Sequence, residues 1–168
     1  IGRTRCALRA RTTEDRAQPT LPLWFRQEVQ ALPRPVELEV VVGIVRDDWG
    51  GVLVNQRRPG THLAGLWEFP GGKRHSGEGR EAALKRELHE ELGIDVVAAA
   101  PLLSLHHEYS DRRVHLDVWS VLEFTGAPRS RESQVIDWVP VDALSSLELL
   151  PADAPIVAAL LHIRGRST

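Results

Sequence analysis

Residues 72–94 read Gly72-Lys73-Arg74-His75-Ser76-Gly77-Glu78-Gly79-Arg80-Glu81-Ala82-Ala83-Leu84-Lys85-Arg86-Glu87-Leu88-His89-Glu90-Glu91-Leu92-Gly93-Ile94. The second half has helical periodicity: Leu84, Leu88 and Leu92 recur at i, i+4 and i+8 and form an apolar stripe. Gly93 stands where a helix takes its C-terminal glycine, so the spacing predicts a helix over Glu81–Leu92. On it, Glu87, Glu90 and Glu91 share an arc of about 100°, next to the leucine stripe. Ala83 falls on the same arc one turn earlier and is small enough to admit a close approach. Like charges at this spacing repel, and more strongly when partly buried. A divalent cation turns that repulsion into a binding site, and carboxylate oxygens favour Mg²⁺, with Mn²⁺ able to substitute. Arg86 lies on the neighbouring flank, within reach of a carboxylate. Gly71-Gly72 lets main chain come near an ion or phosphate.

A glutamate-rich helix face on its own reads as solvated surface. The wider spacing separates this one from that reading. It is G-x5-E-x7-R-E-U-x-E-E-x-G-U, with U a bulky apolar residue, and every fixed position is filled. A chance match is on the order of 10⁻⁹ per starting position. The segment resembles the Nudix box, without substitution. The Nudix family hydrolyses nucleoside diphosphates linked to another moiety. The resemblance implies an α/β fold, an α/β/α sandwich with a mixed β-sheet between helices and the box as a loop-helix-loop. It implies a divalent ion held by Glu90, Glu91 and the Gly71 carbonyl, with Glu87 a ligand or the general base. Arg86 would orient Glu87, and Glu78 would support the loop.

Flanking segments resemble the MutT-like branch, which removes oxidised purine nucleotides. They are Asn55-Gln56-Arg57-Arg58, His62, Leu66-Trp67-Glu68-Phe69-Pro70-Gly71, Tyr109 to Leu116, Glu132-Ser133-Gln134 and Leu150 to Val157, in register over roughly residues 38 to 162. By this resemblance Arg58 and His62 contact phosphate or sugar. Phe69 stacks on or flanks the base, Glu68, Phe69, Pro70 and Gly71 line its pocket, and Arg112 closes over the nucleotide. Glu132 is a further metal ligand or the base. By themselves, Arg57 and Arg58 read equally well as exposed strand ends, His62 as an inert loop residue, and Trp67 as core. Asp153 departs from the pattern, which has Asn there. An ionised carboxylate only accepts hydrogen bonds, whereas an amide also donates. Either burial raises its pKa or base recognition differs. The implied reaction is conversion of 8-oxo-dGTP, or a related oxidised purine nucleotide, to monophosphate and pyrophosphate by water attacking the β-phosphorus.

Around this segment, Leu38–Arg46 reads as a strand, Asp47–Gly51 as a turn, and Val52–Arg57 as its hairpin partner. Leu66–Phe69 reads as a short extended piece. Val96–Tyr109 and Val114–Phe124 read as two long strands about a turn, and Val135–Val139 as a short one. Pro155 opens a last helix with Ile156, Ala159 and Leu160 facing inward.

The whole chain has 168 residues, 42% hydrophobic, with net charge −2 and one cysteine. That suits one domain with a core of its own. It excludes a disulfide framework, a self-contained zinc site, a membrane span and a global field that recruits nucleic acid. A cytoplasmic protein, monomeric or dimeric, is the expectation. Residues 1–36 hold seven arginines and several prolines and read as a basic arm or linker; residues 37–168 read as the Nudix domain. The start at Ile1 and the absence of Met read as a piece of a longer chain. Cys6 ahead of that basic stretch faintly resembles the junction in MutY-type adenine DNA glycosylases, whose C-terminal domain reads 8-oxoguanine in DNA. DNA is a partner only on that alternative. A third alternative is a Nudix pyrophosphatase acting on another nucleoside diphosphate derivative, toward which Tyr109 points weakly.

Overall fold

The computed structural model describes residues 36–166. The expected basic arm and the Cys6 junction lie outside the described residues, apart from Val36, which opens the first strand. The elements are β1 (Val36–Ile44), β2 (Gly51–Gln56), β3 (Trp67–Glu68), β4 (Gly71–Lys73), α1 (Arg80–Leu92), β5 (Asp95–Glu108), β6 (Arg112–Thr125), β7 (Ile136–Pro140) and α2 (Ala154–Gly165). Two 3₁₀ turns, Val141–Ser146 and Pro151–Asp153, lead into α2.

Two sheets form. One has the order β4-β1-β6-β5 and is mixed: β1 runs parallel to β6 and antiparallel to β4, and β5 is antiparallel to β6. The other is the antiparallel trio β3-β2-β7. β1 alternates between two cores. Val41 joins Leu84, Leu88 and Leu92 of α1, and Val42 and Ile44 join Ile156, Val157 and Leu160 of α2. A strand covered on both faces reads as an unbroken apolar run, which explains Val40 to Val45. The result is the expected α/β/α arrangement.

The helix, the long strand pair and the last strand form within a residue or two of their expected bounds. Gly93 ends α1 at φ 70°, its N–H donating to the His89 carbonyl at 3.0 Å. Pro101 is accommodated in edge strand β5 at a register shift. In α2, Ile156 and Leu160 are buried as expected; Val157 takes the buried place expected of Ala159, which is only half-buried.

The hairpin expectation is corrected. β2 meets the end of β1 only at the bridge Arg46↔Val52, and the two strands belong to different sheets. The turn itself is real: Asp47 Oδ1 accepts the N–H groups of Trp49 (2.9 Å) and Gly51 (2.6 Å). β1 satisfies its ladder with β6, distant in sequence, and β2 departs toward β7. Ala83 is also corrected. It is fully buried in the core beneath α1, not a gap on the carboxylate face.

α1 sits close to the sheet because Gly43 lies beneath it. A Cβ there would stand 2.7 Å from Leu88 Cδ1. Leu88→Ala removes a side chain with no solvent exposure and is expected to cost about 2–5 kcal/mol of unfolding free energy. Urea titration checks this, and a loss below about 1 kcal/mol would contradict the packing described.

Candidate active site

Antiparallel pairing of β4 with β1 joins Gly72 to Val41, and flanking bonds run Gly43 N–H to Pro70 and Arg74 N–H to Glu39. The alternation leaves Gly71's main-chain groups outside the ladder. Its N–H donates to Glu91 Oε2 at 3.0 Å. Gly71 has φ 150°, and a Cβ there would strike the Val41 carbonyl at 2.1 Å. At Gly72 a Cβ would fall 2.2 Å from Glu87 Oε2, so that carboxylate lies directly over the glycine.

Arg86 organises the rest of the helix face. Its Nε and Nη2 donate to the two oxygens of Glu78 at 2.8 and 2.9 Å, and Nη1 donates to Glu87 (2.8 Å) and Glu90 (3.1 Å). Nη2 also reaches the Lys73 carbonyl at 3.0 Å. The Arg86 fork, with the His75 N–H, lowers the Glu78 pKa to about 2. Glu78 thereby fastens the loop ahead of α1 to the helix. Glu90 is half-exposed.

Glu91 differs in kind. Burial, then the charges of Glu68, Glu87 and Glu132, push its pKa up to about 8, against the Gly71 N–H. It opens on a cavity of about 290 Å³. The floor is apolar, from Leu38 and Val40 of β1 and Val114 and Leu116 of β6. Arg57, Arg58, His62, Lys73 and Arg112 bring basic groups to its walls, and Glu68, Glu91 and Glu132 bring carboxylates. Arg58 pairs with Glu132 at 3.0 Å, and Arg112 with Asp111 at the rim. The His62 ring meets Tyr109 edge-on, with centroids 5.4 Å apart.

Of the expected site residues, Arg58, His62, Glu68, Gly71, Glu91, Arg112 and Glu132 line this cavity. Glu78, Arg86, Glu87 and Glu90 stand beside it on the α1 face. Phe69 and Pro70 are a correction. Phe69 is 4% exposed in the core shared with α2, and Pro70 is buried with its carbonyl held by Gly43. Neither lines the cavity, so the Phe69 ring does not stack on a base there. Its N–H instead points at Asp153 Oδ2, 3.4 Å away. Asp153 is 4% exposed, behind the cavity wall at Ala152. Burial first, then the Glu68 charge, pushes its pKa up to about 7.

Two residues at the site belong to the flanking segment Asn55-Gln56-Arg57-Arg58, yet the sequence assigned neither a role. Arg57, which reads there as well as a strand end, forms an ion pair with Glu68. Asn55, 1% exposed, donates from Nδ2 to both Glu68 (3.3 Å) and Gln134 (3.2 Å). Beyond that segment, its hint is a polar side chain closing the apolar run Val52-Leu53-Val54.

The donor set suits a hard divalent cation. Glu87, Glu90, Glu91, Glu132 and the Gly71 carbonyl offer oxygen only, and Glu91, whose pKa burial and the nearby carboxylates raise, is the buried member of the set that a cation would most favour in its charged form. Among the described residues no three side chains already stand in a metal-holding cluster, so Glu90 and Glu132 would have to turn inward from their arginine partners.

A mixed sheet between helices, with a carboxylate-bearing helix pressed on a glycine pair beside a nucleotide-sized cavity, defines a class of phosphoanhydride hydrolase. Residues 40–159 match the family model described as NUDIX domain, and the chain belongs to the Nudix hydrolases, which generally use divalent metal ions. It is 39% identical over 127 residues to the CTP pyrophosphohydrolase of Escherichia coli K12, covering 76% of this chain and 93% of that protein. It is 35% identical to the 8-oxo-dGTP diphosphatase of the same organism, covering 76% and 98%. The solution structure of the E. coli ORF135 protein superposes with a TM-score of 0.69 at 38% identity, over 77% of this chain and 92% of that one. No described helix is long and apolar enough to cross a membrane.

Asp153 makes stability depend on pH. Its native pKa stands above the unfolded value of about 4, so its contribution is complete below that pH and is lost as pH rises through about 7. Relative to wild type, Asp153→Asn is expected to gain stability on the order of a few kcal/mol between pH 4 and pH 8. Unfolding titrations at the two ends of that range test this; identical pH dependence in both proteins would refute it.

Proposed function

We propose that this chain hydrolyses oxidised purine nucleoside triphosphates of the 8-oxo-dGTP type to the monophosphate and pyrophosphate. The observation that carries the reading is one cavity running from Glu91 and Gly71 at one end to Tyr109 and Ala152, backed by Asp153, at the other. The apolar floor accepts a base, and the basic groups on the walls accept a polyphosphate. The likeness to an 8-oxo-dGTP diphosphatase over nearly that protein's whole length supports it.

In this mechanism Arg57, Arg58, Lys73 and Arg112 draw the phosphates in, and Arg112 closes over the nucleotide. Glu87, Glu90, Glu91 and the Gly71 carbonyl would hold Mg²⁺, or Mn²⁺ in its place. When bound, the ion neutralises charge developing on the bridging phosphates. Arg86 keeps Glu87 facing Gly72, and Glu78 keeps Arg86 in place. A water molecule attacks the β-phosphorus while Glu87 or Glu132 accepts its proton. The new P–O bond becomes part of pyrophosphate, and the bridging oxygen leaves on the nucleoside monophosphate.

Asp153 bears on the base. With its pKa near 7 a large fraction is protonated at neutral pH, so it both donates and accepts. Asp153 lies behind the wall at Ala152, and once a base displaces that wall the neutral acid pairs with the N7–H and O6 of 8-oxoguanine. It pairs equally with N3 and the amino group of cytosine, and the likeness to a CTP pyrophosphohydrolase makes cytidine triphosphate the second reading.

Turnover of 8-oxo-dGTP, dGTP and CTP with Mg²⁺ decides between them. Preference for 8-oxo-dGTP is expected; equal, poor rates on it and dGTP would end the primary reading. Glu87→Gln or Glu91→Gln is expected to lower kcat by at least about 10². Folding should be unharmed, since Glu91→Gln relieves a buried, crowded carboxylate. Asp153→Asn is expected to change discrimination among these bases with kcat kept within about tenfold.

A further inference from the structure

We propose that Arg131 is a positioning residue that fastens the loop carrying Glu132 to the C-terminal end of α1; this rests on the hydrolytic reading above. The last carbonyls of a helix have no partner within it. Here the loop supplies them: Arg129 N–H donates to the Leu92 carbonyl at 3.0 Å and Arg131 N–H to the Glu91 carbonyl at 2.9 Å. The Arg131 side chain adds Nη1 bonds to the His89 carbonyl and to His89 Nε2, each 3.2 Å. His89 Nδ1 faces Asp95 at 2.8 Å, which leaves Nε2 as the acceptor. A guanidinium at this end also suits the helix dipole.

The glycine that ends α1, Gly93, therefore has two tasks. It takes φ 70°, and it makes room for Arg131, whose Nε would lie 2.8 Å from a Cβ on Gly93. Beyond Arg131 the loop is held again. Ser133 takes φ 63°, unusual for a residue with a side chain and kept only where neighbours over-determine it. Asn55 binds Gln134, and Gln56 N–H binds the Val135 carbonyl at 2.8 Å. Glu132 lies between the two anchors, near enough to Glu91 for its charge to raise the Glu91 pKa. Because Arg131 bonds the Glu91 peptide itself, slippage of the loop along α1 changes the spacing of the two carboxylates directly. A displacement of about 1 Å in a catalytic group can cost about 10²-fold in rate.

The test uses the full chain and the nucleotide that wild type hydrolyses best. Arg131→Ala is expected to lower kcat about tenfold with KM within about twofold, and Arg131→Lys to recover part of the loss. The Arg131→Ala/Glu132→Gln double variant is expected to be no slower than Glu132→Gln alone, because the two residues act as one unit. Arg129→Ala, which keeps its main-chain bond, is expected to stay within about twofold of wild type. Amide exchange followed by NMR gives a readout independent of turnover: Arg131→Ala should speed exchange of the two tethering amides, at positions 129 and 131, about tenfold and leave Leu84 to Leu88 of α1 unchanged. Multiplying losses in the double variant, an unchanged kcat, or unchanged exchange in the loop would each overturn the proposal. If wild type turns over none of the nucleotides, the proposed function fails while exchange alone decides the tether.

Discussion

The contact of α1 with the Gly71–Gly72 pair sets the positions of everything else in the cavity. Helix and strand approach until Glu91 takes the Gly71 N–H and Glu87 lies over Gly72, where a single Cβ would collide with its carboxylate. Leu84, Leu88 and Leu92 press the other helix face into the sheet core, and Gly43 removes the side chain that would keep it away. The apolar stripe thus determines the distance at which the acidic stripe meets main chain. Fold and site share one constraint.

Charge is distributed unequally across that contact. Arg86 gathers Glu78, Glu87 and Glu90 into one network and holds the Glu78 carboxyl well below the usual range. Glu91 has only a main-chain N–H and faces three other carboxylates. One flank of the helix is therefore neutralised by the protein itself. The other holds a carboxyl group that burial and its acidic neighbours keep from ionising readily, and a cation bound beside it would favour the charged form. The same arginine leaves Glu87 oriented rather than free to rotate toward solvent.

What could be read from the residues depended on range. α1, its terminating Gly93 and the long β5–β6 pair follow local periodicity and turn chemistry, so they form close to where the pattern places them. The partner of β1 is β6, some seventy residues away, and no local signal distinguishes it from β2. The Phe69 ring escaped for a related reason. β3 spans only Trp67–Glu68, too short to show which face is inward, so its neighbour's burial is decided by α2 and the 3₁₀ turns. The box glutamates were legible as a group, whereas the isolation of Glu91 from Arg86 depends on the β4 main chain. Asp153 stood out as the wrong residue for its place, but its raised pKa follows from burial and from Glu68, both set by tertiary packing. Asn55 and Arg57 matter through partners at positions 68 and 134, which adjacency in sequence does not reveal.

Glu68 connects the two ends of the cavity. It is buried, its pKa is raised by that burial, and Arg57 offsets part of the effect. Its charge is among the causes that raise both Glu91 at the hydrolytic end and Asp153 at the base end. Through Asn55 it also touches Gln134, on the strand side of the Glu132 loop. Neutralising Glu68 therefore lowers the pKa of both carboxyl groups. Because such couplings are reciprocal in free energy, the charge states of Glu91 and Asp153 each act on Glu68 in turn. The ion pair Arg57–Glu68 accordingly stands between two buried carboxyl groups, and the charge of Glu68 bears on both.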